Sequence, residues 1–320
     1  MKRRAFIRLM AGTVVLPLAA QAQPSARRIG ILALTRADAD NLGAVLRQGL
    51  REAGFVEGQN IVFESRSAEG SPAALQGLAA DLVRLKADVI VAVFTPCVLA
   101  AKRATADIPI VAAVMADPIG TGLAASLSRP EGNVTGLSNM GPETAGKCVE
   151  LFRDMLPSLH RVGALANPAD PFTKPFLEQI RLAGQAAKVE IGPIAMAQGA
   201  NEYEKAFAVL AEGKPDALIV QGINSPGAIA DLAVRYRLPS ASVVPAYAQL
   251  GGLMSYGADI PELFQRSVTF VQKILQGNKP ANMPIEQPTK FNLAINLKTA
   301  KAVGVAIPPS FLLRADDVIE

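Results

Sequence analysis

The chain is poor in the residues that build catalytic and metal centres: one histidine, His160, and two cysteines, Cys97 and Cys148, in 320 residues. That supply lacks the spacing of a zinc site. Around Pro157-Ser158-Leu159-His160-Arg161 there is no G-x-S-x-G partner for a Ser-His-Asp arrangement, so His160 reads as a surface or capping residue. Two cysteines make no disulfide framework. A single bridge would need Cα atoms within about 7 Å, and free packed thiols are the favoured reading. No G-x-G-x-x-G or P-loop follows the first predicted strand, where Gly30 and Gly43 stand isolated. Paired acids for hydrolase or isomerase chemistry cannot be placed together. An enzyme is not expected, and neither is a cofactor.

Long apolar runs are missing as well. Leu9 to Ala20 is too short to span a bilayer. It follows the positive group Lys2, Arg3, Arg4 and Arg8 and precedes Ala20-Gln21-Ala22, an A-x-A cleavage site. Residues 1–22 therefore read as an export signal cleaved after Ala22, giving a periplasmic protein that begins at Gln23. No cysteine follows the site to carry a lipid, so no stable membrane anchor is expected. Arg3-Arg4-Ala5-Phe6-Ile7-Arg8 resembles the twin-arginine motif, but adjacent arginines are common in ordinary signals, and both export routes stand.

Excess charge of one sign is the next absence. The whole chain has 32 Lys and Arg against 28 Asp and Glu, but the four positive residues of the signal have no acidic counterpart there, so the mature chain balances. The basic excess leaves with the signal, and nucleic acid drops out as a partner. Apolar residues at 50% and charged ones at 19% describe an ordinary globular protein. Its length favours two lobes over one enlarged core.

Short runs rich in Ile and Val alternate with amphipathic stretches, the pattern of βαβ units and a parallel sheet. Strands are predicted at Arg28 to Leu34, Ile61 to Ser65, Val89 to Phe94 and Ile110 to Val114. A second series runs through Arg161 to Ala166, Glu190 to Ala195, Ala217 to Val220 and Ala241 to Val244, with a further strand at Phe291 to Ile295. Helices are predicted around Leu42 to Ala53, ended by Gly54, after Ser71-Pro72, after Thr95-Pro96, from a capping box at Asn201 and Glu204, from Asp259 to Gln276, and from Lys298 to Val303. The lobes repeat a plan of elements without repeating a sequence.

Several stretches carry a family resemblance: Phe55-Val56-Glu57-Gly58-Gln59-Asn60-Ile61, Ala116-Asp117-Pro118-Ile119-Gly120-Thr121-Gly122-Leu123 and Gly132-Asn133-Val134-Thr135-Gly136-Leu137-Ser138. Two more are Gly251-Gly252-Leu253-Met254-Ser255-Tyr256-Gly257 and the tail from Gln287-Pro288-Thr289-Lys290-Phe291 to Arg314-Ala315-Asp316. The pattern resembles the ABC transporter substrate-binding proteins of the tryptophan/tyrosine-binding type. That resemblance implies the type I periplasmic binding protein fold: α/β, with two doubly wound parallel-sheet lobes joined by a three-crossover hinge. The crossovers would fall near Leu137 to Gly141, Tyr247 to Met254 and Ile285 to Phe291. Lobe 1 would then comprise residues 27–138 and 254–284, and lobe 2 residues 139–253 and 285–320. The implied function is capture of a small solute, an amino acid or related carboxylate, by a monomer that serves the permease and ATPase subunits of an importer. The alternative is an exported ligand sensor docking on a membrane receptor or kinase.

Ligands of doubly wound sheets sit beyond the carboxyl ends of the strands, which selects the loops that follow them. In lobe 1 these hold Thr35, Thr95, Pro96, Cys97 and Asp117. Thr95 with the N–H groups of the helix opened by Pro96 suits a carboxylate, or Thr95 only caps that helix. Asp117 suits an ammonium group or starts a turn. Cys97 at a helix start is either a thiol of lowered pKa or an apolar filler. Lobe 2 offers Asn167, Asn224 and Tyr247, the asparagines also being turn formers. Ser138 and Asn139 lie at the first crossover, open to ligand or hinge. The chain departs from the family pattern at Phe94, where glycine is common, at Ala166, where tryptophan often stands, at Pro245-Ala246-Tyr247 and in a shorter loop at Gln221 to Gly227.

Overall fold

The structure, a computed structural model, describes residues 26–222 and 225–320. The export signal and Asn224 lie outside these residues. The first lobe runs β1 (Arg27–Ala33), α1 (Arg36–Glu52), β2 (Ile61–Ser67), α2 (Leu75–Arg84), β3 (Val89–Val93), α3 (Thr95–Ala104), β4 (Ile110–Met115) and β5 (Val134–Ser138). The second continues with α4 (Gly141–Met155), β6 (Arg161–Ala166), α5 (Thr173–Ala187), β7 (Glu190–Met196), α6 (Ala200–Glu212), β8 (Ala217–Val220), α7 (Pro226–Arg235), β9 (Ser240–Ser242) and β10 (Met254–Ala258). Then follow α8 (Ile260–Leu275), β11 (Phe291–Asn296), α9 (Leu297–Val303), α10 (Pro309–Leu312) and β12 (Asp317–Ile319).

Sheet 1 is parallel throughout, in the order β2-β1-β3-β4-β5. Sheet 2 repeats that order as β7-β6-β8-β9-β10 and adds β11, antiparallel to β10, and β12. Both are doubly wound. Strands β3 and β4 are buried at every position, as parallel strands covered on both faces must be. Helices α1 and α8 cover one face of sheet 1, and α2 and α3 the other. On sheet 2, α4 and α5 oppose α6 and α7. Helix α8 holds its place through Leu263, Phe264, Phe270, Val271 and Ile274, each contributing roughly 1.5–3 kcal/mol if fully buried.

Three expectations need correction. Helix α1 starts at Arg36, a turn and a half before Leu42, because Thr35 Oγ1 caps it by accepting from the Asp38 N–H. The capping box at Asn201 and Glu204 is not formed: Asn201 lies inside α6, Glu204 pairs with Arg235, and Glu202 accepts from the Gln198 N–H instead. Residues 254–258, assigned to lobe 1, form β10 in sheet 2 between β9 and β11, so the second crossover comes at Asp259. That residue ties two crossovers together. Its carboxylate caps α8 through the Glu262 N–H and accepts from Lys290 Nζ at 3.0 Å, while its own N–H donates to the Lys290 carbonyl. Ile285 and Glu286 still run along β5, bonded to Leu127, Gly136 and Ser138.

Contrary to the expectation that the lobes share a plan but no sequence, they also repeat sequence at one strand. Arg28-Ile29-Gly30-Ile31-Leu32-Ala33 in β1 matches Arg161-Val162-Gly163-Ala164-Leu165-Ala166 in β6. The Arg28 N–H donates to Asp88 Oδ2 at 2.7 Å, and the Arg161 N–H to Asp216 Oδ2 at 2.9 Å, each acid standing just before β3 or β8. Each arginine guanidinium then reaches the end of a preceding helix, at the Leu85 or the Gly213 carbonyl. A Cβ on Gly30 would lie 3.1 Å from Leu82 of α2, and one on Gly163 would lie 3.3 Å from Leu210 of α6. Both glycines let a helix approach its strand.

Candidate functional site

In each sheet the helices leave neighbouring strands toward opposite faces at one place. In sheet 1 this switch point lies between β1, followed by α1, and β3, followed by α3. In sheet 2 it lies between β6, followed by α5, and β8, followed by α7. The crevice beyond such a point is where doubly wound sheets take ligands.

At the first switch point, Thr35 Oγ1 donates to Asp38 Oδ2 at 2.6 Å. Thr95 is 3% exposed, and its hydroxyl accepts from the Ala116 N–H at 2.9 Å and donates to the Ala116 carbonyl at 3.3 Å. The hydroxyl thus ties the β3 loop to the β4 loop, and its proton is not left for a carboxylate. Pro96 occupies the first turn of α3, and the Cys97 N–H already donates to the Phe94 carbonyl. Cys97 does not face the crevice. It is wholly buried with Leu32, Ala92 and Ala112, and burial, with Asp38 adding, pushes its thiol far up rather than down. Asp117 is half-buried, with φ 37°, and its Oδ1 accepts from the Gly120 N–H at 2.8 Å in a turn. Neither Asp38 nor Asp117 pairs with a lysine or arginine among the described residues.

Ser138 and Asn139 bind the first crossover. Ser138 Oγ accepts from the Met140 N–H, Asn139 Oδ1 accepts from the Gly141 N–H, and the Asn139 N–H donates to the Met115 carbonyl at 2.9 Å. At the second switch point Asn167 Oδ1 accepts from the Ala169 N–H, and its own N–H donates to Gln221 Oε1 at 3.0 Å. Thr173 Oγ1 donates to the same Gln221 oxygen at 2.9 Å, and the buried Gln221 Nε2 has no hydrogen-bond partner among the described residues. Asp170, beside them, is raised by burial, partly offset by the Phe172 N–H. Sequence reasoning passed over Gln221 and Asp38; strand ends at β8 and β1 were the available signals. Tyr247 does not line the crevice. It is wholly buried against α7 and Gly252, and its hydroxyl donates to Ser240 Oγ at 2.8 Å. Asn224 lies outside the described residues.

Two depressions, of about 490 and 550 Å³, open on the second lobe, beside α5 and beside β10 and β11; neither is lined by a strand end of the first lobe. His160 is exposed at the opposite, amino end of sheet 2. Both cysteines are free and buried in separate cores, with the Cys148 thiol pushed up to about 12 by burial. Among the described residues no His, Cys, Asp and Glu side chains group to hold a metal ion. No described helix is long and apolar enough to cross a membrane.

Two duplicated, doubly wound lobes linked by three crossovers define the type I periplasmic binding protein fold. Residues 28–319 match the model of the ABC transporter substrate binding protein family, and the chain belongs to that family, one of solute binders rather than enzymes. A tyrosine-binding protein of Clostridioides difficile is 26% identical over 262 residues, 81% of this chain and 75% of its own length. A domain from Streptococcus pneumonia solved in complex with L-Trp is 27% identical, with a TM-score of 0.84 over 92% of this chain and 100% of its own. A conserved domain protein from Vibrio cholerae is 26% identical, with a TM-score of 0.85 over the same shares.

Proposed function

We propose that this chain is the exported solute-binding component of an ABC import system and captures an amino acid or related carboxylate between its lobes. The observation that carries the reading is the pair of switch points, one per sheet, whose loops hold polar groups with unused capacity: Asp38, Asp117 and Gln221 Nε2. Relatives that bind tyrosine or L-Trp support an amino acid as the ligand class. Closure is the working event. A ligand that touches both lobes favours the closed state by its differential affinity, and Asp259, which joins two crossovers, belongs to the hinge. The permease and ATPase subunits are the partners of the closed form, and the protein acts as a periplasmic monomer cleaved after Ala22.

The test screens the mature protein by thermal shift against amino acids, aromatic acids and other small metabolites, since a ligand of the native state raises the midpoint by mass action. Small-angle scattering with each hit should then show compaction. An unchanged radius at saturating ligand would refute the closure mechanism, and mass spectrometry of the exported protein checks the cleavage.

A further inference from the structure

The backbone of Phe94 sits at φ 68° and ψ 156°, a region that essentially only glycine populates. Four other residues with positive φ also follow strands, Glu69, Asp117, Met140 and Ser225, and of these Met140 and Ser225 lie in the left-handed region that an L-residue tolerates. Strained residues of this kind gather where a fold serves a ligand. The conformation has a geometric result. Along β3 the side chains alternate, with Val89, Val91 and Val93 on the face of α1 and α8 and Ile90 and Ala92 on the face of α2 and α3. A regular residue 94 would join Ile90 and Ala92. The mirrored backbone instead turns the Phe94 ring onto the α1 and α8 face directly after Val93, where it is half-buried. The Phe94 N–H is held by the Val114 carbonyl at 2.8 Å. The ring therefore lies past the carboxyl end of sheet 1, on the side of α1, at the first switch point.

In the proposed site, a ligand between β1 and β3 would meet that ring. The space a phenyl group fills is the space an aromatic ligand side chain would need, and close packing does not admit both. We infer that Phe94 sets the size limit of the site and that this chain takes a small, non-aromatic carboxylate where glycine in its place would admit an aromatic one. This rests on the proposed site between the lobes.

Calorimetry with L-tryptophan, L-tyrosine, L-alanine, L-leucine and succinate, on wild type, Phe94→Gly and Phe94→Ala, tests it. Both variants should bind at least one aromatic amino acid at least about tenfold more tightly than wild type. Two variants are used because alanine retains the backbone strain and glycine does not. Wild-type affinity for the aromatic amino acids within threefold of both variants overturns the inference, as does absence of aromatic binding in all three proteins. If the variants gain aromatic binding while scattering shows no compaction, Phe94 stands as the size limit and the closure mechanism falls. If a small carboxylate compacts all three proteins and the variants gain nothing, the site stands and Phe94 is removed from it.

Discussion

Replacing Phe94 should invert the usual ranking of alanine and glycine. In ordinary backbone, glycine is less stable than alanine by roughly 0.5–1 kcal/mol, because its unfolded chain has more freedom to lose. At φ 68° and ψ 156° the native conformation itself costs an L-residue about 1–3 kcal/mol, and glycine almost nothing. Phe94→Ala loses the packing of a half-buried ring, about 1–1.5 kcal/mol on the scale of roughly 1.5–3 for full burial, and keeps the strain. Phe94→Gly loses the same packing and adds the glycine entropy but releases the strain. The glycine variant should therefore exceed the alanine variant by up to about 2 kcal/mol and stand within about 1.5 kcal/mol of wild type. Urea unfolding followed by circular dichroism reads both differences from midpoints at constant slope. An alanine variant as stable as the glycine variant, with equal slopes, would refute the strain at residue 94 and with it the argument for the ring's direction.

Three further outcomes test the placement of side chains. Cys97 and Cys148, buried and held as thiols, should react with a thiol reagent at pH 8 only after denaturant is added; rapid labelling of the native protein would contradict both core placements. Tyr247→Phe removes the hydroxyl that donates to Ser240 and should cost about 1–2 kcal/mol of stability with ligand affinity unchanged. A tenfold loss of affinity would return Tyr247 to the ligand site. For Asp170 the folded state holds the proton to higher pH than the unfolded chain, so stability falls as pH rises through that interval. Asp170→Asn, which keeps the acceptor for the Phe172 N–H, should raise the melting temperature at pH 7 and lose that advantage near pH 4; a constant difference across the range counts against the raised carboxyl.

The α/β plan could be read from the sequence because central parallel strands such as Val89–Val93 are apolar at every position, and helices such as α8 announce themselves by a capping aspartate. Two of the strands that escaped notice, β5 and β10, contain glycines that read as turns. A Cβ on Gly136 of β5 would collide with the Ala112 backbone, and one on Gly257 of β10 would lie 2.5 Å from the Val243 carbonyl oxygen. Those glycines permit close approach of neighbouring backbone rather than a break. Strand ends could be found by topology, but the direction of a side chain at a strand end could not. Thr95 and Tyr247 have the chemistry of ligand contacts, yet their hydroxyls are spent on Ala116 and Ser240. Phe94 faces the opposite way from what alternation alone would assign.

Comparison of the two lobes with each other separates the duties of the two ends of the sheets. At the amino ends the copies agree: arginine, glycine and leucine recur in β1 and β6, and Asp88 and Asp216 accept from equivalent backbone N–H groups. At the carboxyl ends they part. Thr35 with Asp38 answers to Asn167 with Thr173 and Gln221, and the ring of Phe94 has no counterpart in Gln221. An end that only closes a sheet meets the same physical demand in both lobes, and one solution serves twice. An end that meets a ligand faces an asymmetric molecule, whose two sides ask for different donors, acceptors and shapes. Carboxylates that have no ionic partner among the described residues in one lobe, and a buried amide donor unpartnered among those residues in the other, are such a difference and would suit opposite ends of a small molecule with one cationic and one anionic group. The copies thus agree at the amino ends of the sheets and diverge at the carboxyl ends, where the proposed site lies.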